Sequence, residues 1–184
     1  MDALRSAVLY RHKNAQLEEL LDGNELVYDF GLLDRDHNWQ YFEPEDYTLK
    51  TDAAKQLIDR LSSISPMLYY QHLDGCSYAC DDDLEPMPDS EYRIYHNGKI
   101  IAEAQFSYTW PSWGEPLEKA VKKAVEHANT DKFALLEFDQ QGLSKLKQLM
   151  DAETLFERLD NDDTLYDITA EFQKIVGIYD CFAR

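Results

Sequence analysis

Three residues near the middle of the chain have the types and the spacing of a metal site. His72, Cys76 and Cys80 are each four residues apart, and three aspartates follow them. On a helix this spacing would place the imidazole and both thiols on one face, where zinc could bind them with a carboxylate as the fourth ligand. However, Gly75 would interrupt that helix, and no second cysteine pair completes a structural zinc site. We therefore expect ordinary or redox-sensitive cysteines and no cofactor, with metal binding as the alternative.

No other pattern in the chain predicts catalysis. The sequence lacks a glycine-rich phosphate loop, the G-x-S-x-G of a nucleophile elbow and the H-E-x-x-H of a zinc protease. The five histidines have no partners at motif spacing. Because Cys-His dyads and acid pairs also assemble from distant residues, a small enzyme centred on the histidine and the two cysteines stays an alternative to a non-catalytic protein.

The densest run of acid lies between Asp74 and Glu91. This segment has seven Asp and Glu residues and no Lys or Arg, and two prolines keep it irregular. Long irregular loops in compact domains are often functional, so we predict an anionic loop that meets basic side chains of a partner. A solvated loop that only keeps the protein soluble is the alternative. The predicted partner contacts are Asp74, Tyr78, Asp81, Asp82, Asp83, Glu85 and Asp89.

A second candidate contact region is the aromatic and acidic stretch 34–47. Tyr and Trp anchor protein interfaces, and carboxylates around them set orientation and association rate, so Trp39 and Tyr41 are also predicted partner contacts. The alternative is that Trp39, Tyr41 and Phe42 cover one edge of the core. A third acidic stretch, 160–163, resembles the start of a calcium loop but lacks the glycine at the sixth position. We predict that Asp162 or Asp163 caps the helix that follows.

The elements that must position these residues alternate between helix and strand in the first half of the chain. The clearest local signal is Asn97-Gly98, which predicts a type I′ turn in a hairpin over residues 91–108. A two-residue loop then pairs Tyr95 with Ile100 and Ile94 with Ile101. Strands are also predicted at 7–10, 25–33 and 67–73, and helices at 14–22 and 51–64.

The second half is predicted to be mostly helical. A capping-box spacing at 112–115 followed by Pro116 predicts a helix to about Asn129. Further helices are predicted at 143–150, 153–159 and 164–176, a buried strand at 133–138 and an edge strand at 178–182. The chain is thus predicted to be one α+β domain over 1–184, with a mainly antiparallel sheet packed by amphipathic helices.

The charge balance narrows the class of partner. The chain has 36 Asp and Glu residues against 18 Lys and Arg, a formal charge of −18, yet 44% of it is hydrophobic and 12% aromatic, so we expect a folded core rather than disorder. Three cysteines, an N-terminus without a secretory pattern and no apolar run of spanning length predict a reduced, cytoplasmic protein. Such a charge repels nucleic acid and anionic lipid and attracts a basic protein.

In size, acidity and lack of motifs, the chain resembles immunity proteins and antitoxins that neutralise cationic nuclease toxins. It also resembles phage-encoded or plasmid-encoded inhibitors of the anti-restriction or anti-CRISPR type, which imitate the charge of DNA. This resemblance of composition implies a non-catalytic inhibitor that binds a nuclease toxin or another basic, nucleic-acid-handling effector. A DNA mimic must repeat negative charge about once per 1.7 Å of helix axis. Because lysines of the predicted helix 112–129 interrupt such a stripe, a compact acidic patch fits better.

Overall fold

The described residues of the fold form one antiparallel sheet of six strands. The computed structural model describes residues 6–34, 37–72, 90–106, 115–161 and 163–182. Its strands are β1 (Ser6–Arg11), β2 (Val27–Asp34), β3 (Trp39–Pro44), β4 (Met67–His72), β5 (Ser90–His96) and β6 (Lys99–Phe106). Their order across the sheet is β2-β3-β1-β4-β5-β6, with every neighbouring pair antiparallel. The predicted α+β class with a mainly antiparallel sheet is confirmed.

The helices lie on both faces of this sheet. They are α1 (Ala15–Leu21), α2 (Asp52–Ser62), α3 (Leu117–Ala124), α4 (Gln140–Leu149), α5 (Ala152–Asp160), α6 (Leu165–Val176) and α7 (Tyr179–Phe182), with a 3-10 helix at Thr130–Leu136. On one face, α1 and α2 pack their leucines against Val8, Tyr69 and Tyr95. On the other, the C-terminal helices pack against Leu9, Tyr92 and their neighbours, with Phe172 of α6 stacked on Tyr92 at 5.1 Å between ring centroids.

Local sequence signals account for the first two helices. The side chain of Asn14 caps α1 by accepting from the backbone N–H of Gln16 and Leu17 at 3.0 and 3.2 Å, and Thr51 caps α2 by accepting from Ala54 at 3.3 Å. The sequence predicts an apolar face in both helices, and Leu17, Leu21, Leu57 and Leu61 are buried on it, whereas Leu20 is half-buried.

The β5–β6 hairpin turns where Asn97-Gly98 predicts, but its predicted register is wrong beyond Ile100. Both turn residues have positive φ, 50° and 69°, and Tyr95 pairs with Ile100 as expected. A bulge then leaves Ile101 unpaired, so Ile94 pairs with Ala102 instead. This extra residue puts Ile94, Ala102 and Ala104 on the same face, where the C-terminal helices bury them.

Three predictions for the C-terminal half are also wrong. Residues 133–138 form part of the 3-10 helix and its end rather than a strand, and residues 178–182 contain α7 rather than an edge strand. Helix α3 ends at Ala124, before Asn129, because the chain turns back so that the backbone N–H of Glu103 in β6 donates to the carbonyl of His127 at 2.8 Å. The predicted capping box at 112–115 lies mostly outside the described residues.

Thr164, rather than an aspartate before it, caps α6. Its hydroxyl accepts from the backbone N–H of Asp167 at 3.2 Å, and the Asp167 carboxylate accepts from the Thr164 N–H at 2.8 Å, which completes a capping box. Asp163 instead forms an ion pair with Arg158 at 2.7 Å. The helix ends at Gly177, whose φ of 80° suits glycine and whose position leaves no room for a Cβ beside the His37 ring. No helix among the described residues is both long and apolar enough to cross a membrane.

Candidate interaction surface

Negative charge far exceeds positive charge in the part of the fold formed by α1, β2 and β3. This part, residues 14–49, is called the β2 side below, and its sequence contains ten Asp and Glu residues and one Arg. Residues 92–147, called the β6 side, include β5 and β6 and contain seven Asp and Glu residues and eight Lys and Arg residues. The strands of these two segments, β2 and β3 against β5 and β6, lie at opposite ends of the sheet, while residues 136–138 reach back to Arg11 and Trp39. The acid that gives the protein its net charge is therefore unevenly distributed.

Three carboxylates meet on the β2 side, and we call Asp29, Glu43 and Glu45 the acidic trio. Asp29 and Glu43 are directly paired across β2 and β3, and Glu45 lies just after β3, where its N–H donates to the carbonyl of Leu26 at 3.0 Å. Burial raises the pKa of Glu43, and the negative charges of Asp29 and Glu45 raise it further. Like charges opposite each other on adjacent strands are destabilising. Within the described ranges, no Lys or Arg forms an ion pair with the trio.

Asp29 is held in place by neutral donors. Its Oδ2 accepts from the Tyr41 hydroxyl at 2.6 Å, and its Oδ1 accepts from the backbone N–H of Phe30 at 2.9 Å. Burial raises the pKa of Tyr41, and the hydrogen bond and negative charge of Asp29 raise it further, so the phenol stays protonated as a donor. These bonds orient the carboxylate but leave its charge uncompensated.

Exposed apolar side chains also lie on the β2 side. Tyr28 of β2 is 72% exposed, Leu32 of the same strand is 49% exposed, and Tyr47, which follows β3, is 43% exposed. Aromatic side chains close to charged groups are common in protein interfaces, because they supply contact area with little loss of conformational entropy. The β2 side thus combines excess negative charge with exposed apolar side chains.

Trp39 and Tyr41, which the sequence suggested as partner contacts, are core residues. Trp39 is fully buried; its indole N–H donates to the carbonyl of Val176 at 2.9 Å, and the Arg11 guanidinium lies 3.8 Å from its ring centroid. Tyr41 and Phe42 are also buried. Their burial supports the alternative in which these aromatics cover one edge of the core.

Asp46, although it lies on the β2 side, has a structural role. Burial alone would raise the pKa of its carboxyl group, but hydrogen bonds from Thr51 and Thr48 outweigh burial and lower this pKa to about 2. The carboxylate accepts from the backbone N–H of Thr51 at 2.7 Å and from the Thr48 hydroxyl at 2.7 Å. These bonds fix the turn between β3 and α2.

The other predicted partner contacts, Asp74, Tyr78, Asp81, Asp82, Asp83, Glu85 and Asp89, lie outside the described residues and stay predictions. The ends of their segment are described: His72 at the end of β4 pairs with Ser90 at the start of β5. Glu91, the last acid of the run, is only 3% exposed and forms an ion pair with Arg93 at 2.8 Å, so it belongs to the interior.

The proposed metal ligands can be assessed at one position. The Nδ1 atom of His72 is 2.7 Å from the Ser90 hydroxyl, which also accepts from the Tyr70 hydroxyl at 3.4 Å. Cys76 and Cys80 lie outside the described residues. Among the residues that the structure describes, no three His, Cys, Asp or Glu side chains are arranged to hold a metal ion. Zinc binding by His72, Cys76 and Cys80 stays an alternative prediction.

Sequence reasoning did not single out the acidic trio. Glu43 and Glu45 stood inside the stretch 34–47, but Asp29 lies outside it. The available signal was one acid between apolar residues in each strand, Asp29 beside Phe30 and Glu43 beside Phe42, and it becomes specific only once the strand pairing is known.

Comparison of the chain with models of protein families, with curated proteins and with solved structures finds no match in any of the three.

Proposed function

We propose that this protein is a non-catalytic binder that neutralises a basic, nucleic-acid-handling protein through its β2 side. The observation that supports this role most directly is the separation of charge. Residues 14–49 carry ten acids and one base, whereas residues 92–147 are nearly balanced. A protein whose acid served solubility alone would gain nothing from this separation, because solubility depends on net charge.

The acidic trio provides a physical reason for affinity. The raised pKa of Glu43 means that its ionised form is disfavoured by burial and by Asp29 and Glu45. An Arg or Lys side chain placed between these carboxylates would remove that repulsion and form charge-assisted hydrogen bonds. Exposed Tyr28 and Tyr47 would add apolar contact area at the rim.

The same charge separation favours a patch over a DNA mimic. An extended duplex-like surface would need regular negative charge along its length. Lys119, Lys122 and Lys123 lie on α3, and the acids of the β6 side are matched by bases. A partner with a single basic cleft is therefore the preferred target.

The experiment is a binding and inhibition assay against a panel of purified nucleases of high isoelectric point, with a basic protein that has no nucleic-acid function for comparison. We expect at least one nuclease to bind and lose activity. Its association rate constant should fall by about tenfold or more between low salt and 0.5 M salt, since screening weakens long-range attraction. Binding that is indifferent to salt, or no binding to any basic nuclease, would refute the proposal.

A further inference from the structure

The two edges of the sheet differ in whether the chain covers them. On the β6 edge, the backbone N–H of Glu103 donates to the carbonyl of His127 at 2.8 Å, and the Asn129 side chain donates to the carbonyl of Ile101 at 3.1 Å. The segment after α3 therefore closes that edge. Covering an edge in this way prevents pairing with other chains.

No described segment covers the edge of the sheet formed by β2. β2 is eight residues long and has one neighbouring strand among the described residues. Its first N–H, that of Val27, donates to the carbonyl of Asn24 in the preceding turn. Tyr28 and Leu32 extend from this strand into solvent. An outer edge of this length can accept an added strand from another polypeptide.

We propose that the outer edge of β2 takes an extended, basic segment of the partner as a seventh strand of the sheet. This inference rests on the function proposed above and specifies how the partner is held. Main-chain hydrogen bonds would supply affinity, and side chains alternating along the added strand would supply specificity. The sequence that fits is one in which Arg or Lys alternates with apolar residues, because Asp29 of the acidic trio and the exposed Tyr28 and Leu32 lie on this edge strand.

Charge selects such a segment over a second copy of this chain. Pairing two β2 strands would bring two surfaces with ten acids and one base each into contact, which is strongly repulsive. The two register shifts in β2, at Tyr28 and at Leu33, further disfavour pairing with an identical strand.

Asp29 strengthens this selection. Its Oδ1 already accepts from the Phe30 N–H at 2.9 Å, so an added strand must compete with that bond where it meets Phe30. If the added strand breaks the bond between the Phe30 N–H and Asp29, an Arg or Lys of that strand beside Asp29 replaces it with a charge-assisted bond to the carboxylate. An uncharged strand offers no such compensation.

The test uses three synthetic eight-residue peptides that alternate arginine and valine. One has ordinary amides, one has N-methyl groups on its arginine residues, and one has them on its valine residues. The N–H groups of a strand point alternately to its two sides, so strand addition uses only one of the two sets. We expect the unmodified peptide and one methylated peptide to bind at low salt, and the other methylated peptide to bind at least about tenfold more weakly, since it loses several main-chain hydrogen bonds.

Hydrogen exchange supplies the second readout. Binding should slow exchange at the amides of β2 and leave those of β6 unchanged. If both methylated peptides bind equally well and amide hydrogen exchange in β2 is unchanged, strand addition is refuted. If the binding of all three peptides is nevertheless sensitive to salt, the proposed function still stands. Absence of binding by any of the peptides would count against strand addition, and the nuclease assay would decide the function separately. Self-association of the protein through β2, seen by sedimentation, would favour a second copy and refute the proposal.

Discussion

The β2 side and the β6 side of the sheet differ in charge, edge protection and burial. The β6 side has balanced charge, an edge covered by its own chain and the aromatic cluster of Tyr92 and Phe133, whose rings lie 5.3 Å apart. The β2 side has excess acid, an edge without a described covering segment, and exposed Tyr28 and Leu32. The comparison indicates that the β6 side mainly stabilises the fold, whereas the β2 side retains unfavourable features, which the proposed partner would relieve.

The largest difference should be in stability. Phe133 is fully buried against Tyr92, Phe138 and Phe172, so Phe133→Ala should lower the free energy of unfolding by about 3–5 kcal/mol. Tyr28→Ala, at an exposed position on the β2 side, should change it by about 0.5 kcal/mol or less. Urea denaturation of the two variants measures both values. A loss for Tyr28→Ala comparable with that for Phe133→Ala would contradict the division between the two sides.

The next largest effect should come from a buried acid. Glu91 pairs with Arg93, whose guanidinium also lies 5.1 Å from the Tyr69 ring centroid, and both side chains are mostly buried. Glu91→Gln leaves this cation without its counter-charge and should destabilise the fold by about 3 kcal/mol.

Two further variants sharpen the Glu91 test. The double variant Glu91→Gln, Arg93→Met should recover part of the lost stability, because no unpaired charge stays buried. Glu118→Gln, which removes an exposed acid from α3, should be nearly neutral. If Glu91→Gln leaves the free energy of unfolding unchanged, the ion pair between Glu91 and Arg93 does not stabilise the fold.

A smaller effect is the pH dependence of stability, which should differ in sign between two carboxyl groups of the β2 side, Asp46 and Glu43. The pKa of Asp46 is lowered to about 2, so its ionised form stabilises the fold above its unfolded pKa near 4, and this contribution is lost as pH falls through 2. Asp46→Ala should cost about 1 kcal/mol at pH 7, because Asp46 is partly exposed, and nearly nothing at the lowest pH.

Glu43 should show the opposite sign. Its pKa is raised, so the folded protein binds a proton there more readily than the unfolded chain, and protonation of Glu43 stabilises the fold as pH falls through this pKa. Carbon-detected NMR titration of the side-chain carboxyls measures both groups. Titration of Glu43 at or below the ordinary glutamate value would contradict the repulsion assigned to the acidic trio.

Local signals in the sequence predicted much of the fold. The Asn97-Gly98 turn and the spacing of leucines in α1 and α2 depend on nearby residues, and all are confirmed. The hairpin register failed because the bulge at Ile101 is stabilised by burial against helices distant in sequence. Residues 133–138 were misassigned because a short apolar run fits a strand and a helix equally well; in the structure, Phe133 and Leu136 are buried one 3-10 turn apart.

The candidate interaction surface could be predicted from the sequence less well than the fold. Composition predicted an acidic surface, but the trio exists because β2 and β3 pair so that Asp29 faces Glu43. Trp39 and Tyr41 were suggested as contacts because residue type alone does not distinguish an interface anchor from a core residue. Their burial depends on α6 and α7, which follow more than a hundred residues later in the chain.

The central claim is that the position of the acid, rather than its total amount, determines binding. The most direct test compares two double variants with the same net charge, Glu43→Gln, Glu45→Gln on the β2 side and Glu118→Gln, Glu126→Gln on the β6 side. With a basic nuclease that binds the unmodified protein, we predict that at low salt the first variant associates about five- to tenfold more slowly and the second changes by about twofold or less. Equal slowing by both variants, or no slowing by either, would contradict the account.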